Sequence, residues 1–287
     1  MESIETARHD FAEKLRATAG LRSEGVVRAF ASVPREDFVG PGPWQLIRPS
    51  ELARGYETTP DADPRRLYDN VLVALDATRG LNNGEPAALA RWLDCLDLAP
   101  GDRFLHIGCG VGYYTAIAAE AIGVGGSAVG LEVDPPLADR ARWNLRRWMN
   151  VTVVTGDAAD LHGETFDAIF VNAGATEPLL GWLDALRVGG RLLLPLTVGV
   201  PGQNLGVGHM LQVVRRPRAH AARFVSPVGI FHCAGARTEA GNDLLKRAYQ
   251  GGGHDSVRSL RRDAHEAGPR CWLHAGLSCL SHLEAEK

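Results

Sequence analysis

The residues best placed to do chemistry form one run, Phe104-Leu105-His106-Ile107-Gly108-Cys109-Gly110-Val111-Gly112-Tyr113, in which an apolar, strand-like stretch passes directly into glycines. Glycine lets the backbone turn without a β-carbon clash and lets a ligand approach the chain closely. A helix that opens after such a turn presents free N–H groups to an electronegative ligand atom. Many strand-to-helix turns hold glycine for packing alone, so the run gains weight only from its surroundings. Glu132 stands 20 residues past Gly112, where Rossmann-like folds place an acidic side chain for a ribose diol. Gly156-Asp157 closes the next strand-like run, where a carboxylate can meet an adenine amine. Three such loops at the carboxyl ends of neighbouring strands predict one adenosine-bearing ligand that touches all of them.

Loops of this kind need an α/β frame, and the chain supplies its pattern. Short apolar runs at 103–107, 127–132, 152–155, 166–171 and 191–194 alternate with helical periodicity at 114–122, 136–149 and 178–186, which predicts a parallel sheet with crossover helices. Upstream, Ile4, Ala7, Phe11 and Leu15 recur at helical spacing over 4–18, and a second helix is expected over 23–31. The proline-rich stretch 40–64 reads as a loop, 68–75 as a strand, and 85–96 as a helix with Pro86 in its first turn. Downstream, strands are expected at 210–215 and 223–231, a helix at 242–249, and a hairpin centred on Gly276 over 271–281. The expected organisation is an N-terminal region 1–97 that shapes a substrate site, a ligand-binding core 98–233 and a C-terminal extension 234–287.

Composition narrows the setting. With 287 residues, 45% hydrophobic and 23% charged, the chain can bury a sizeable core, which excludes disorder and fibrous repeats. A net charge of -3 removes the general attraction to phosphate backbones, so nucleic acid is not an expected partner. No apolar run reaches the roughly 18 residues of a membrane span, and the charged opening segment does not read as a signal peptide. Five cysteines, an odd number in a chain this long, argue against a disulfide framework, and a reducing cytoplasm is the expected location.

The glycines read G-x-G-x-G where a dinucleotide site shows G-x-G-x-x-G, and two strands follow the parallel set where a dinucleotide fold would continue with a βαβ unit. Together with Val33-Pro34-Arg35-Glu36-Asp37-Phe38-Val39 and Gly190-Arg191-Leu192-Leu193-Leu194-Pro195-Leu196, the glycine segment resembles the protein-L-isoaspartate O-methyltransferases over about 26–196. The resemblance implies a Rossmann-like class I methyltransferase fold, with a mostly parallel seven-stranded sheet, helices on both faces and extensions at both termini. It implies S-adenosyl-L-methionine as the methyl donor. The His106-to-Gly112 segment, with Gly108, Cys109, Gly110 and Gly112, would then line the methionine part, Glu132 would hold the ribose, Asp157 and Ala158 would face the adenine, and Asn172 would border the methyl donor.

The family's substrate loop corresponds to Leu81-Asn82-Asn83-Gly84-Glu85-Pro86. Members that repair isoaspartate carry a hydroxyl residue there, whereas this chain offers Asn82 and Asn83, whose amides can donate in its place. These two are the candidate catalytic residues. A second departure is His106, at a position where methyltransferases commonly carry an acidic residue. Displacement at a sulfonium expels a neutral leaving group, so an ionised carboxylate attacks without a general base, whereas an amine or phenol would need one. The chain shows no unmistakable base, which points to a carboxylate acceptor in a peptide or protein. Two alternatives stand beside it: a natural-product small molecule as acceptor, and a non-catalytic S-adenosylmethionine-binding interaction protein.

At the C-terminus, Cys271-x-x-His274 and Cys279-x-x-His282 have zinc-like spacing. Residues three apart on a strand point to opposite faces, so the expectation is a packed hairpin and no metal ligands, with His265 at the surface. Arg140, Arg142, Arg146 and Arg147, like Arg258, Arg261 and Arg262, read as solvated, partly paired faces, and Trp143 and Trp148 are expected to pack on the sheet. Tyr68 is expected either to cap the core or to reach the methyl donor.

Overall fold

The computed structural model describes residues 3–159, 161 and 163–285. In chain order the helices are α1 (Ile4–Ala19), α2 (Glu24–Ser32), α3 (Glu36–Val39), α4 (Pro86–Cys95), α5 (Tyr113–Ile122), α6 (Pro135–Leu145), α7 (Leu180–Asp184) and α8 (Glu239–Gln250). The strands are β1 (Gln45–Ile47), β2 (Glu57–Thr58), β3 (Leu72–Asp76), β4 (Leu81–Asn82), β5 (Arg103–Ile107), β6 (Ser127–Glu132), β7 (Val151–Thr155), β8 (Phe166–Val171), β9 (Leu186–Gly199), β10 (Leu205–Arg215), β11 (His220–Phe231), β12 (Ser259–Arg261), β13 (Cys271–Ala275) and β14 (Ser278–Ser281). The chain divides into two compact units, one of Met1–Asp102, Cys109–Gly130 and Asp134–Val154, the other of Arg103–Gly108, Leu131–Val133 and Thr155–Lys287.

In the first unit, local chemistry sets the helix ends. The Ser3 hydroxyl accepts from Thr6 N–H to start α1, Ser23 does the same for Val26 in α2, and the Asp134 carboxylate caps Leu137 in α6. Phe11, Leu15, Phe30 and Phe38 are buried, and the three phenylalanine rings meet Tyr68 or Tyr113 edge-on, as in the Phe38–Tyr113 pair with centroids 5.4 Å apart. The expected loop 40–64 is instead partly folded. Within it β1 and β2 form, joining β3 and β4 in a small antiparallel sheet of order β2-β1-β3-β4 whose core holds Val39, Trp44, Leu67 and Val73. Strands of two or three residues leave no periodicity in a sequence, and the prolines masked them.

The expected strand 68–75 starts late, at Leu72, because the turn before it is held from outside. Arg35, fully buried, donates from Nη1 to the carbonyls of Leu67 (2.7 Å) and Asp69 (3.3 Å) and from Nη2 to that of Val71 (2.7 Å). Tyr68 resolves to a core cap. Its hydroxyl donates to Glu36 and accepts from Arg8 Nε (2.9 Å) and from the Arg35 N–H (3.2 Å). Trp143 is a correction: it is 67% exposed beneath the Arg146 guanidinium, because the buried stripe of α6 is Ala138, Ala141 and Leu145 and Trp143 lies off it. Trp148 is partly buried against Phe38, 6.0 Å between centroids.

In the second unit the strands run β13-β14-β12-β11-β10-β9-β8-β5, followed by the carboxyl ends of β6 and β7. β5 with β8 and β8 with β9 pair in parallel, whereas β9, β10 and β11 pair antiparallel over long ladders. The sheet is therefore larger than the expected seven strands, and in this unit antiparallel pairs outnumber parallel ones. β12 pairs with β11 at His220 and Ala221, and β14 and β13 continue outward from it, so the C-terminal extension covers an edge that β11 would otherwise leave open. Several of the arginines named above are paired: Arg142 with Asp139, Arg147 with Asp37, Arg258 with Glu284, Arg261 with Asp263, and Arg262 with Asp184. No helix among the described residues is long and apolar enough to cross a membrane.

Candidate active site

In the second unit four of the expected ligand residues stand on neighbouring strand ends. Gly108 N–H donates to the Leu131 carbonyl (2.8 Å), Gly156 N–H to that of Glu132 (3.0 Å), and Asn172 N–H to that of Ile107 (2.8 Å). These bonds bring the turns after β5, β6, β7 and β8 into one row. Gly108 takes φ +74°, and a β-carbon there would come within 3.4 Å of the Asn172 carbonyl oxygen, so the turn is tight on this side. The Glu132 side chain is only 6% exposed. The turn after β7 is braced twice: Asp157 Oδ1 accepts the Ala159 N–H at 2.9 Å, and the buried Ala158 offers its carbonyl to Trp182 Nε1 at 2.8 Å.

One element here escaped the sequence reading. At Gly235, with φ +72°, a β-carbon would stand 1.9 Å from Asp157 Oδ1, so the start of the C-terminal extension lies directly on the Asp157 carboxylate and only glycine permits it. Next to it the Cys233 thiol is pushed up to about 12, chiefly by burial and further by the charges of Asp157 and Glu132. Both carboxylates thus act on one place, which a cationic ligand would find favourable. Nothing in the sequence tied 233–235 to Asp157, because 78 residues separate the carboxylate from its glycine neighbour.

His106 is fully buried, stacked on Phe170 (centroids 5.1 Å) and tilted against Phe104 (6.1 Å). Burial lowers its pKa to about 3, so the imidazole is neutral at physiological pH and does not replace the negative charge of an acidic residue.

The rest of the glycine turn belongs to the first unit. Gly110 takes φ +56° with nothing within 4 Å of a would-be β-carbon, whereas at Gly112, φ +91°, that carbon would meet Leu145 Cδ1 at 2.7 Å. Gly110 therefore leaves open space and Gly112 serves the packing of α5 against α6, two roles that one spacing pattern cannot separate. Cys109 is buried, and its Sγ would lie 3.0 Å from a β-carbon at Gly130.

Asn82 and Asn83, also in the first unit, differ from each other. Asn82 Oδ1 accepts the Gly84 N–H (2.9 Å) and its side chain is hydrogen-bonded to Tyr56, so it is occupied in building the turn. Asn83 is held by its backbone N–H on the Val73 carbonyl (2.8 Å) and is 6% exposed, yet its amide Nδ2 is buried without a hydrogen-bond partner. A buried amide donor left unpaired costs stability, and its retention points to a use outside the folded chain's own bonds.

An α/β sheet whose parallel strands give way to an antiparallel pair, with the glycine turn and the acidic strand ends at its carboxyl edge, is the arrangement of the Rossmann-like class I methyltransferases. Solved structures agree: a protein-L-isoaspartate O-methyltransferase superposes with TM-score 0.63 at 21% identity, covering 89% of this chain and 72% of the other. A structure of that type from Plasmodium falciparum, in complex with S-adenosyl-L-homocysteine, gives 0.59 at 19% identity, covering 79% and 97%. The family model for protein-L-isoaspartate(D-aspartate) O-methyltransferase matches residues 61–226, and the chain belongs to that family. It is similar to the protein-L-isoaspartate O-methyltransferase of Methanothrix thermoacetophila, 34% identical over 212 residues (72% of this chain, 89% of the relative). Enzyme 1 of that name from Archaeoglobus fulgidus is 32% identical over 226 residues (77% and 93%). As a member of this family the chain is an S-adenosylmethionine-dependent methyltransferase.

Proposed function

We propose that the chain transfers a methyl group from S-adenosylmethionine to a carboxylate of a peptide or protein, isoaspartyl groups included. The observation that carries this reading is the row of strand ends in the second unit, where Gly108, the buried Glu132, Asp157 and Asn172 follow one another along a hydrogen-bonded edge. The donor set suits the cosubstrate: a buried carboxylate for a ribose diol, a braced Asp157–Ala158 turn for an adenine, and two negative charges for a cation. Bound there, S-adenosylmethionine supplies a methyl group on a sulfonium whose departure leaves a neutral thioether. The chain's own task is then to bind and align. Glu132 would accept from the ribose hydroxyls, Asp157 and Ala158 would meet the adenine, and Gly108 would let the methionine part lie close to the backbone. His106 stays a neutral ring stacked on Phe170, and Asn172 would border the donor.

On the acceptor side the first unit offers the unpaired amide of Asn83, which would donate to a carboxylate and fix its orientation, while Asn82 keeps the turn in shape. The carboxylate arrives ionised, so no base is needed and the acceleration comes from alignment and loss of water. The test is kinetic. Asn83→Ala is expected to raise the KM for an isoaspartyl peptide by roughly tenfold to a hundredfold, the worth of one hydrogen bond to a charged group. Its unfolding midpoint in urea should stay near that of the unchanged protein, since Nδ2 has no internal bond to lose. An unchanged KM would remove Asn83 from the acceptor site.

A further inference from the structure

The C-terminal extension brings together four side chains that the methyl-transfer reaction does not use. The ligand-capable atoms of His265, Cys271, His274 and Cys279 all lie within 4.8 Å of one another. On a regular strand Cys271 and His274 would point to opposite faces. β13 is not regular: its register against β14 shifts between Cys271 and Leu273, so Cys271 opposes Ser281 while His274 opposes Cys279. A bulge of this kind adds a residue and breaks the alternation of faces, which brings Cys271 and His274 to one side. His265, expected at the surface, is turned inward from the segment between β12 and β13, with its side chain 14% exposed. His282, which the spacing would have enlisted, is not one of the four.

The geometry points to a tetrahedral zinc site with two thiolate and two imidazole ligands. With Zn–S near 2.3 Å and Zn–N near 2.0–2.1 Å, a tetrahedron has S···N edges of about 3.6 Å. Cys271 Sγ lies 3.6 Å from His265 Nε2. His265 Nδ1 sits 2.8 Å from the Asp263 carbonyl oxygen, and a carbonyl can only accept, so the proton is on Nδ1 and the Nε2 lone pair faces Cys271. That is the outer hydrogen bond by which metal-binding imidazoles are held in the right tautomer. The two imidazoles stand edge to face with centroids 4.8 Å apart, and His274 Nδ1 is buried without a hydrogen-bond partner. Cys279 is 2% exposed and both cysteines are free thiols.

Two thiolates neutralise a divalent ion, and mixed S/N tetrahedral ligation is what zinc accepts best among the common divalent metals. Four protein ligands leave no open position, so the site is structural. It ties the irregular 262–270 segment to the β13–β14 hairpin, which closes the sheet edge beyond β12.

The test uses the full chain purified under reducing conditions without chelator. Equimolar zinc is expected by elemental analysis, and cobalt exchange should give the visible bands of a tetrahedral ion together with thiolate charge transfer. His265→Ala, on the segment outside the strands, should keep the fold yet weaken zinc binding by more than the roughly tenfold to hundredfold that loss of an outer partner costs. Cys279→Ser should weaken the thiolate band to that of the single remaining Cys271 ligand and lower zinc affinity, and His282→Ala should leave the metal in place. Protein with no zinc after growth in zinc-supplemented medium and no tetrahedral cobalt spectrum would overturn the assignment. So would zinc retained at full affinity by both His265→Ala and Cys279→Ser, or a Cys271–Cys279 disulfide as the only form recovered.

Discussion

Glu132→Ala is expected to weaken the binding of S-adenosylhomocysteine by roughly a hundredfold to a thousandfold in a calorimetric titration. The carboxylate is buried at the end of β6, one hydrogen-bonded step from the turn at Gly108. Two ribose hydroxyls donating to it make two charge-assisted hydrogen bonds, each worth about 1.5–3 kcal/mol. In the free protein Glu132 already has interactions of its own, so part of that energy is exchanged rather than gained, which keeps the loss to about 3–4 kcal/mol. Glu132→Gln keeps shape and one acceptor and should lose less. A change under threefold for Glu132→Ala would remove the residue from the nucleoside site.

The second large effect is on the fold. Arg35→Ala is expected to cost about 3–5 kcal/mol in urea unfolding and to lower Tm by on the order of 6–10 °C, at about 2 °C per kcal/mol for a chain of this size. The guanidinium holds three carbonyls, those of Leu67, Asp69 and Val71, in a place where water does not reach. Removing it leaves a cavity and unpaired acceptors together. Arg35→Lys should recover little, because one ammonium on a flexible stem cannot span three carbonyls as a planar fork does. The damage should also pass to the acceptor loop. Val71 leads into β3, and the Val73 carbonyl is what receives the Asn83 N–H. A loss below 1 kcal/mol would mean that this turn holds its shape without Arg35.

Arg35 also marks where sequence reasoning stopped. Val33-Pro34-Arg35 was legible as a resemblance, but an arginine between apolar residues gives no sign of which distant carbonyls it will meet, here 32 to 36 residues on. The strand-end positions of the glycine turn, Glu132 and Asp157 were legible because each closes or follows a strand whose apolar run is long enough to register, and the fold then puts strand ends side by side. The distinct duties of Gly110 and Gly112 were not, since they depend on whether a neighbouring helix carries Leu145 at that height. β1, β2 and β12 were invisible, being two or three residues long. The bulge at Cys271 to Leu273 reversed an argument from strict alternation, and no residue at that position announces it. Asn82 and Asn83 read alike in the sequence, and only their hydrogen bonds divide turn-building from an unpaired donor.

Methyl transfer to a carboxylate can be read out by incubating the full chain with methyl-labelled S-adenosylmethionine and an isoaspartyl peptide, then treating the product with mild alkali. The expected result is one methyl group on the peptide, released as methanol by the alkali as an ester must be. Label that survives alkali, on an amine or phenol, or no label on isoaspartyl and aspartyl peptides of varied sequence, would contradict it.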